Sequence, residues 1–161
     1  SSDLVSYGFY FLEFAEYVTR ENNDETEILK LLYQTMRIVV KRSISLSLIR
    51  CIFELKMICL QGEAPQVFSC VGCGKQGEPY WFSAAKGGLL CRDCVPKASD
   101  ARRVGQSTVY ALAFIVATPV EKLYTFTVTE KVLEELKQSA KRCVDVYIGH
   151  TFRSLEMLEF L

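Results

Sequence analysis

Four cysteines constrain this chain more than any other feature. They stand as Cys70-x2-Cys73 and Cys91-x2-Cys94, with 17 residues between the pairs. That spacing is the one read as a four-cysteine zinc site. Tetrahedral zinc takes sulfur at about 2.3 Å, and two cysteines three positions apart on a tight turn both reach one ion. Gly72 and Gly74 let the backbone turn sharply enough for amides to face the sulfurs. With cysteine in all four positions no coordination site is left open to water, so the expected Zn2+, one per chain, is structural rather than catalytic. A thiol–disulfide role is the rival for Cys-x-x-Cys, but two pairs at zinc spacing outside a βαβ pattern speak against it. Iron–sulfur ligation is a further alternative for the same four sulfurs.

The segment around these cysteines, about residues 66–96, has no long apolar period. It holds five glycines, a strand-like Tyr80-Trp81-Phe82 and a turn at Gly87-Gly88. A piece this small folds on a metal rather than on a core of its own. The remaining cysteines, Cys51, Cys59 and Cys143, sit in apolar helical patterns. Seven cysteines with no secretory signal point to a reducing, cytoplasmic setting and not to a disulfide framework.

Either side of that segment the period is helical. Leu4, Tyr7, Phe11, Phe14 and Val18 share one face of a first helix. Asp24 with Glu27 reads as a capping box for a second, whose stripe is Ile28, Leu31, Leu32, Thr35, Ile38 and Val39. The acidic residues from Glu21 to Glu27 read as a solvated helix start. A third helix runs from about Leu46 to Gln61 and turns in Leu48, Ile49, Ile52, Phe53 and Leu55, with Gly62 and Pro65 ending it. After the cysteine segment, Ser107 is expected to cap a helix burying Val109, Leu112, Ala113 and Val116 and ending near Pro119. Thr129 caps the next, with Val132, Leu136, Ala140, Cys143 and Tyr147 inward and Gly149 at its end. A short last helix carries Leu155, Leu158 and Leu161. The expected fold is mainly α: a helical bundle over residues 1–161 with a small four-cysteine, zinc-ribbon-like module inserted in its middle.

Composition narrows the function. The 161 residues carry 19 basic and 19 acidic side chains, a balance unlike that of a dedicated nucleic-acid module. The longest uncharged stretch, Gly105 to Val120, is too short to span a membrane and contains Pro119. The chain opens Ser-Ser-Asp-Leu-Val, without initiator Met or the basic start of a signal peptide, and reads as a fragment. Nothing marks an enzyme. The only histidine is His150, and Cys143 lies a helical rise of about 10 Å before it, too far for a nucleophile–base pair. No phosphate-binding glycine loop is present. His150 after Gly149 reads as a helix-end or packing residue.

Basic side chains cluster at helical spacing. Arg37 and Lys41 share a face, as do Lys137 and Lys141, and Arg102 and Arg103 follow the cysteine segment. A solvated surface accounts for such pairs; the functional alternative is contact with DNA phosphates or capture of an acidic peptide tail. Lys75 and Arg92, inside the two knuckles, are read as offsetting the negative charge of a metal tetrathiolate.

One order of motifs carries a family resemblance. Phe53-Glu54-Leu55-Lys56 through Leu60-Gln61-Gly62-Glu63-Ala64-Pro65 leads into Cys70-Val71-Gly72-Cys73-Gly74. Phe82-Ser83, then Gly87-Gly88-Leu89-Leu90-Cys91 and Cys94 follow, and Tyr147, His150, Ser154-Leu155 and Phe160-Leu161 close the chain. This order resembles the C-terminal part of the bacterial RecO family, and Tyr10-Phe11-Leu12-Glu13 is similar to the helix that follows the family's OB domain. The resemblance implies a recombination mediator rather than an enzyme. Such a protein anneals strands and, with RecR, helps load RecA onto DNA coated by single-strand-binding protein, in the nucleoid. It implies that the helical part meets the acidic C-terminal tail of single-strand-binding protein. The OB domain, which carries much of the DNA binding, would precede residue 1, so binding of single- or double-stranded DNA by this chain is expected to be weak. The alternative from the zinc pattern alone is a structural zinc ribbon that binds RNA or a transcription partner.

Overall fold

The computed structural model describes residues 2–21 and 25–158. Asp24, expected to cap the second helix, and Phe160 and Leu161 lie outside the described residues. Among the described residues six α-helices form the body: α1 (Ser2–Glu21), α2 (Glu25–Lys41), α3 (Leu46–Leu60), α4 (Gln106–Ala117), α5 (Glu130–Cys143) and α6 (Arg153–Leu158). Between α3 and α4 lies an antiparallel sheet of β1 (Tyr80–Ser83), β2 (Gly88–Leu90) and β3 (Arg102–Val104), in the order β2-β1-β3.

α3 is the central element. Ser45 caps it, accepting from the Leu48 amide at 3.2 Å, and Gly62 closes it at φ +83°. From Leu48 to Ile58 every side chain except Arg50 is buried, so α3 presents no solvent face. Two of those buried residues are charged. The Lys56 ammonium donates to the carbonyls of Ile115, Val116 and Thr118 at 3.1, 3.2 and 2.7 Å, closing the C-terminus of α4. Glu54 accepts from Arg50 Nε at 3.1 Å and from the Tyr10 hydroxyl of α1.

α1 packs along α3 through a ring cluster in which Phe11 and Phe14 meet Phe53 at centroid distances of 4.7 and 5.5 Å. Of the expected face Phe11, Phe14 and Val18 are buried and Leu4 and Tyr7 partly so, while Ser6, Ala15 and Tyr10 join them, Tyr10 fully buried with Glu54 receiving its hydroxyl. On α2 the buried set is Ile28, Leu31, Thr35, Ile38 and Val39; the Thr35 hydroxyl lies 2.6 Å from that of Tyr124. Thr129 caps α5 as expected, accepting from the Val132 amide at 3.3 Å. α5 buries Val132, Leu136, Ala140 and Cys143, widens into a π turn over Val144–Ile148 and stops at Gly149, φ +62°.

α4 departs from the expectation. Its N-cap is Gly105, with no side-chain cap from Ser107, and its buried residues are Thr108, Ala111, Leu112 and Ile115. The reason is Glu135 on α5, which accepts from the Gly105 amide at 2.9 Å and the Thr108 hydroxyl at 2.7 Å. A distant carboxylate does the capping, and the satisfied Thr108 turns inward. Apolar residues surround α4, so its periodicity did not fix its rotation.

The sheet lays one face on the bundle. Tyr80, Phe82, Leu89 and Val104 join the main core, together with Val67 and Ala84. β3 pairs Val104 with Tyr80, Arg103 with Trp81 and Arg102 with Phe82. This third strand lies beyond residue 96, so the sheet draws on residues outside the segment expected to hold the module. Among the described residues no helix is long and apolar enough to cross a membrane.

Candidate metal centre

The four cysteines converge from two loops. The first knuckle is closed by the Gly74 amide on the Cys70 carbonyl at 2.8 Å and the Cys70 amide on the Lys75 carbonyl at 2.9 Å, with Gly74 at φ +81°. The Val71 amide, donating to Leu89 at 2.7 Å, holds this knuckle against β2. The second knuckle leaves β2 directly: the Cys94 and Val95 amides donate to the Cys91 carbonyl at 3.1 and 3.0 Å, opening a 3-10 turn over Val95–Lys97. Gly88 makes the approach possible. At φ +152°, a Cβ there would stand 2.1 Å from the Gln66 carbonyl oxygen.

The sulfurs of Cys70, Cys73, Cys91 and Cys94 all lie within 4.8 Å of one another, and those of Cys73 and Cys91 are 3.7 Å apart. A disulfide needs about 2.05 Å. A tetrahedron with sulfur about 2.3 Å from its centre has edges of about 3.8 Å, so the separation suits a shared ion. The Gly72 and Cys91 amides each donate to Cys70 Sγ at 3.3 Å. Gly72 is required for space as well, since a Cβ there would come within 2.9 Å of Cys94 Sγ. Cys70 and Cys91 are buried with Leu90 in a small apolar cluster of their own, against Val95, Ala98 and Ala101.

The electrostatics of the four thiols are uneven. Burial pushes Cys70 up, but the amides of Cys91, Cys73 and Gly72 outweigh it and bring the thiol down to about 6. Cys94 is pushed up to about 12 by the neighbouring sulfurs of Cys70 and Cys91. The Cys70 thiolate therefore forms readily while Cys73 and Cys94 resist joining it; a divalent cation removes that resistance, since metal binding drives thiols to release protons. Four sulfur donors and no open position fit a structural ion. The antiparallel sheet contains no βαβ unit, the usual setting of a Cys-x-x-Cys redox pair.

The module is fastened to α5 and the turn beyond it. Asp100 accepts from Ser83 Oγ at 2.5 Å and the Ala85 amide at 2.9 Å, and lies 3.8 Å from Arg142. The Tyr147 hydroxyl donates to the Ala84 carbonyl at 2.7 Å.

The basic residues singled out from sequence fall in three places. Arg37 and Lys41 line a cleft of about 140 Å³ with Tyr124 and Glu121, and the Arg37 guanidinium sits 5.7 Å over the Tyr33 ring. Lys137 and Lys141 line a larger cleft of about 270 Å³ with Tyr7, Arg50 and Leu158. Arg102 and Arg103 are exposed on β3, Arg103 lying 5.1 Å over Trp81. Sequence reasoning missed Arg50 and Trp81. The signal for Arg50 was present, a charged pair with Glu54 at i, i+4 inside an apolar run. His150 stacks on Tyr17 at 4.1 Å, a packing role. Cys143 is buried and pushed up to about 12, chiefly by desolvation, which leaves it a core thiol.

The comparisons with known proteins agree. Residues 2–156 match the family described as "Recombination protein O C terminal". Proteins named DNA repair protein RecO are similar along nearly the whole chain. That of Alkaliphilus metalliredigens is 32% identical over 155 residues, covering 95% of this chain and 63% of the relative. Those of Acetivibrio thermocellus and Desulforudis audaxviator are 27% and 31% identical, covering 99% and 97% of this chain and 64% and 62% of theirs. The chain thus spans just under two thirds of the length of these relatives. No solved structure matches.

Proposed function

This chain belongs to the recombination protein O family of DNA repair proteins, matching its C-terminal part, and from that premise we propose that it is the interaction platform of a recombination mediator. The observation that carries the proposal is the family match over residues 2–156, within which the four cysteines converge. In this reading Cys70, Cys73, Cys91 and Cys94 hold one structural zinc ion that fixes the module against α5. The chain performs no covalent chemistry. It works in the cytoplasm, at the nucleoid, meeting RecR and the acidic C-terminal tail of single-strand-binding protein so that strands anneal and RecA is loaded. Contacts with single- and double-stranded DNA are secondary, made by the exposed basic residues.

Lys137 and Lys141 are the best placed to receive an acidic tail. They stand over a cleft of about 270 Å³ with apolar walls from Tyr7 and Leu158; Arg50 at its side is paired with Glu54, which also lines the cleft. An acidic peptide ending in apolar residues needs that combination. Arg37 and Lys41 line a smaller cleft, about 140 Å³, which likewise holds a carboxylate, Glu121.

Isothermal titration with an acidic tail peptide tests the proposal. Micromolar binding that weakens with salt, and weakens about tenfold or more in Lys137→Glu/Lys141→Glu, is the expected result. Absence of binding to both the peptide and RecR would overturn it.

A further inference from the structure

We propose that the β3 edge of the metal module is a landing site for single-stranded DNA, with an unpaired base stacking on the Trp81–Arg103 pair and phosphates meeting Arg102 and Arg142. This rests on the DNA-repair reading above and adds to it a surface that the acidic-tail proposal does not use.

Three observations carry it. Trp81, the single tryptophan of the chain, is half-buried on the sheet face opposite the bundle, directly across from Arg103, whose guanidinium covers its ring at 5.1 Å. A guanidinium on an indole presents a flat cationic surface, which suits a base on one side and a phosphate at its rim. The platform is sequence-tolerant because every base has a π face.

Second, β3 is an edge strand in which Arg102 and Arg103 project to opposite sides. Arg102 therefore turns towards α5, where it lines a shallow cleft with Gln138 and Arg142. A strand running along the edge meets a guanidinium on each side and a third from the helix.

Third, these arginines are not consumed by the nearby acids. Asp100 is engaged by Ser83 and the Ala85 amide, and Glu135 by Thr108 and the Gly105 amide. Arg142 reaches Asp100 only at 3.8 Å and stays 45% exposed. Among the described residues no carboxylate pairs with Arg102 or Arg103. The chain is neutral as a whole, but this edge keeps uncommitted positive charge beside an aromatic face. A duplex offers phosphates without free bases, so the stacking element selects the single strand.

Because Trp81 is the only tryptophan, its emission reports on this site alone. The metal-replete chain is titrated with a 20-nucleotide dT oligomer while Trp81 emission and the anisotropy of labelled oligomer are followed together, alongside the acidic-peptide titration. The expected result is a saturable change in emission in the micromolar range that tracks the anisotropy and weakens as salt rises. Arg103→Ala is expected to weaken binding about fivefold or more, and Arg102→Ala to lower the salt slope by about one. Arg103→Lys keeps the charge and is expected to lose part of the emission change. Metal content and far-UV circular dichroism check that each variant folds; if Arg103→Ala does not, the wild-type emission and Arg102→Ala decide. Anisotropy rising while Trp81 emission stays constant would place the DNA elsewhere and overturn the inference. So would an equal emission change with duplex of the same length, or no response in either signal. Peptide binding without a DNA response would overturn this inference alone, whereas loss of peptide and RecR binding with the DNA response intact would overturn only the tail-capture proposal.

Discussion

Lys56 on α3 donates to the Thr118 carbonyl at 2.7 Å and so ties the end of α4 to the central helix. The same ammonium serves Ile115 and Val116, so all three of its donors are used on carbonyls that the helix itself leaves unsatisfied. Lys56→Met keeps most of the apolar stem and removes the donors. It is expected to lower stability by about 2–4 kcal/mol, read from urea denaturation, because one buried and two partly buried acceptors lose a charged partner.

Arg50 and Glu54 form the second buried arrangement. Glu54 has no solvent to stabilise its charge, and desolvation raises its pKa despite Arg50 and the Tyr10 hydroxyl. Removing the cation alone strands the carboxylate: Arg50→Ala is expected to cost about 3–5 kcal/mol. The double variant Arg50→Ala/Glu54→Leu is expected to recover part of that loss, since an apolar pair does not need compensation, with the remainder set by the Tyr10 hydroxyl left without its acceptor. A double-mutant cycle in chemical denaturation measures both.

Glu13 gives the fold a pH dependence. Its carboxylate accepts from the Ser154 amide and hydroxyl at 2.9 and 2.5 Å and the Arg153 amide at 3.0 Å, holding the start of α6 on α1. Burial pushes this carboxyl up, but the Ser154 and Arg153 donors outweigh it and hold it below the usual range. The folded pKa is lower than the unfolded one, so the stabilisation is fully present above about pH 4.3 and fades as pH falls through the folded value. Protection of the Ser154 amide, relative to its intrinsic exchange rate at each pH, is expected to fall below pH 4, and Glu13→Gln to show low protection already at pH 7.

How much of this was legible beforehand follows from the kind of signal each residue gives. The stripes of α1, α2 and α5 were readable because polar and apolar residues alternate with a clear helical period, as at Val132, Leu136, Ala140 and Cys143. The cysteine pairs were readable because ligand spacing is local. β3 was not: Arg102-Arg103-Val104 has no apolar alternation, and it becomes a strand only because β1 offers it a free edge. Nor was the burial of Glu54 and Lys56, which depends on acceptors and donors 44 and 62 residues distant, at Tyr10 and Thr118. Ser107 was read as the cap, and Thr108 was not singled out, because the true partner, Glu135, lies on another helix. Interactions that cross between elements leave no period in the sequence.

In the proposed function the β-sheet module depends on the four sulfurs of Cys70, Cys73, Cys91 and Cys94 acting as one ligand set. Metal analysis of the chain, with thiol titration before and after a strong chelator, tests that directly. One zinc per chain is expected, with Cys70, Cys73, Cys91 and Cys94 shielded from a thiol reagent until the chelator is added, and the sheet amides exchanging faster once the metal is gone. Absence of zinc, with all four thiols reacting freely or paired as disulfides in a chain whose sheet is intact, would contradict it.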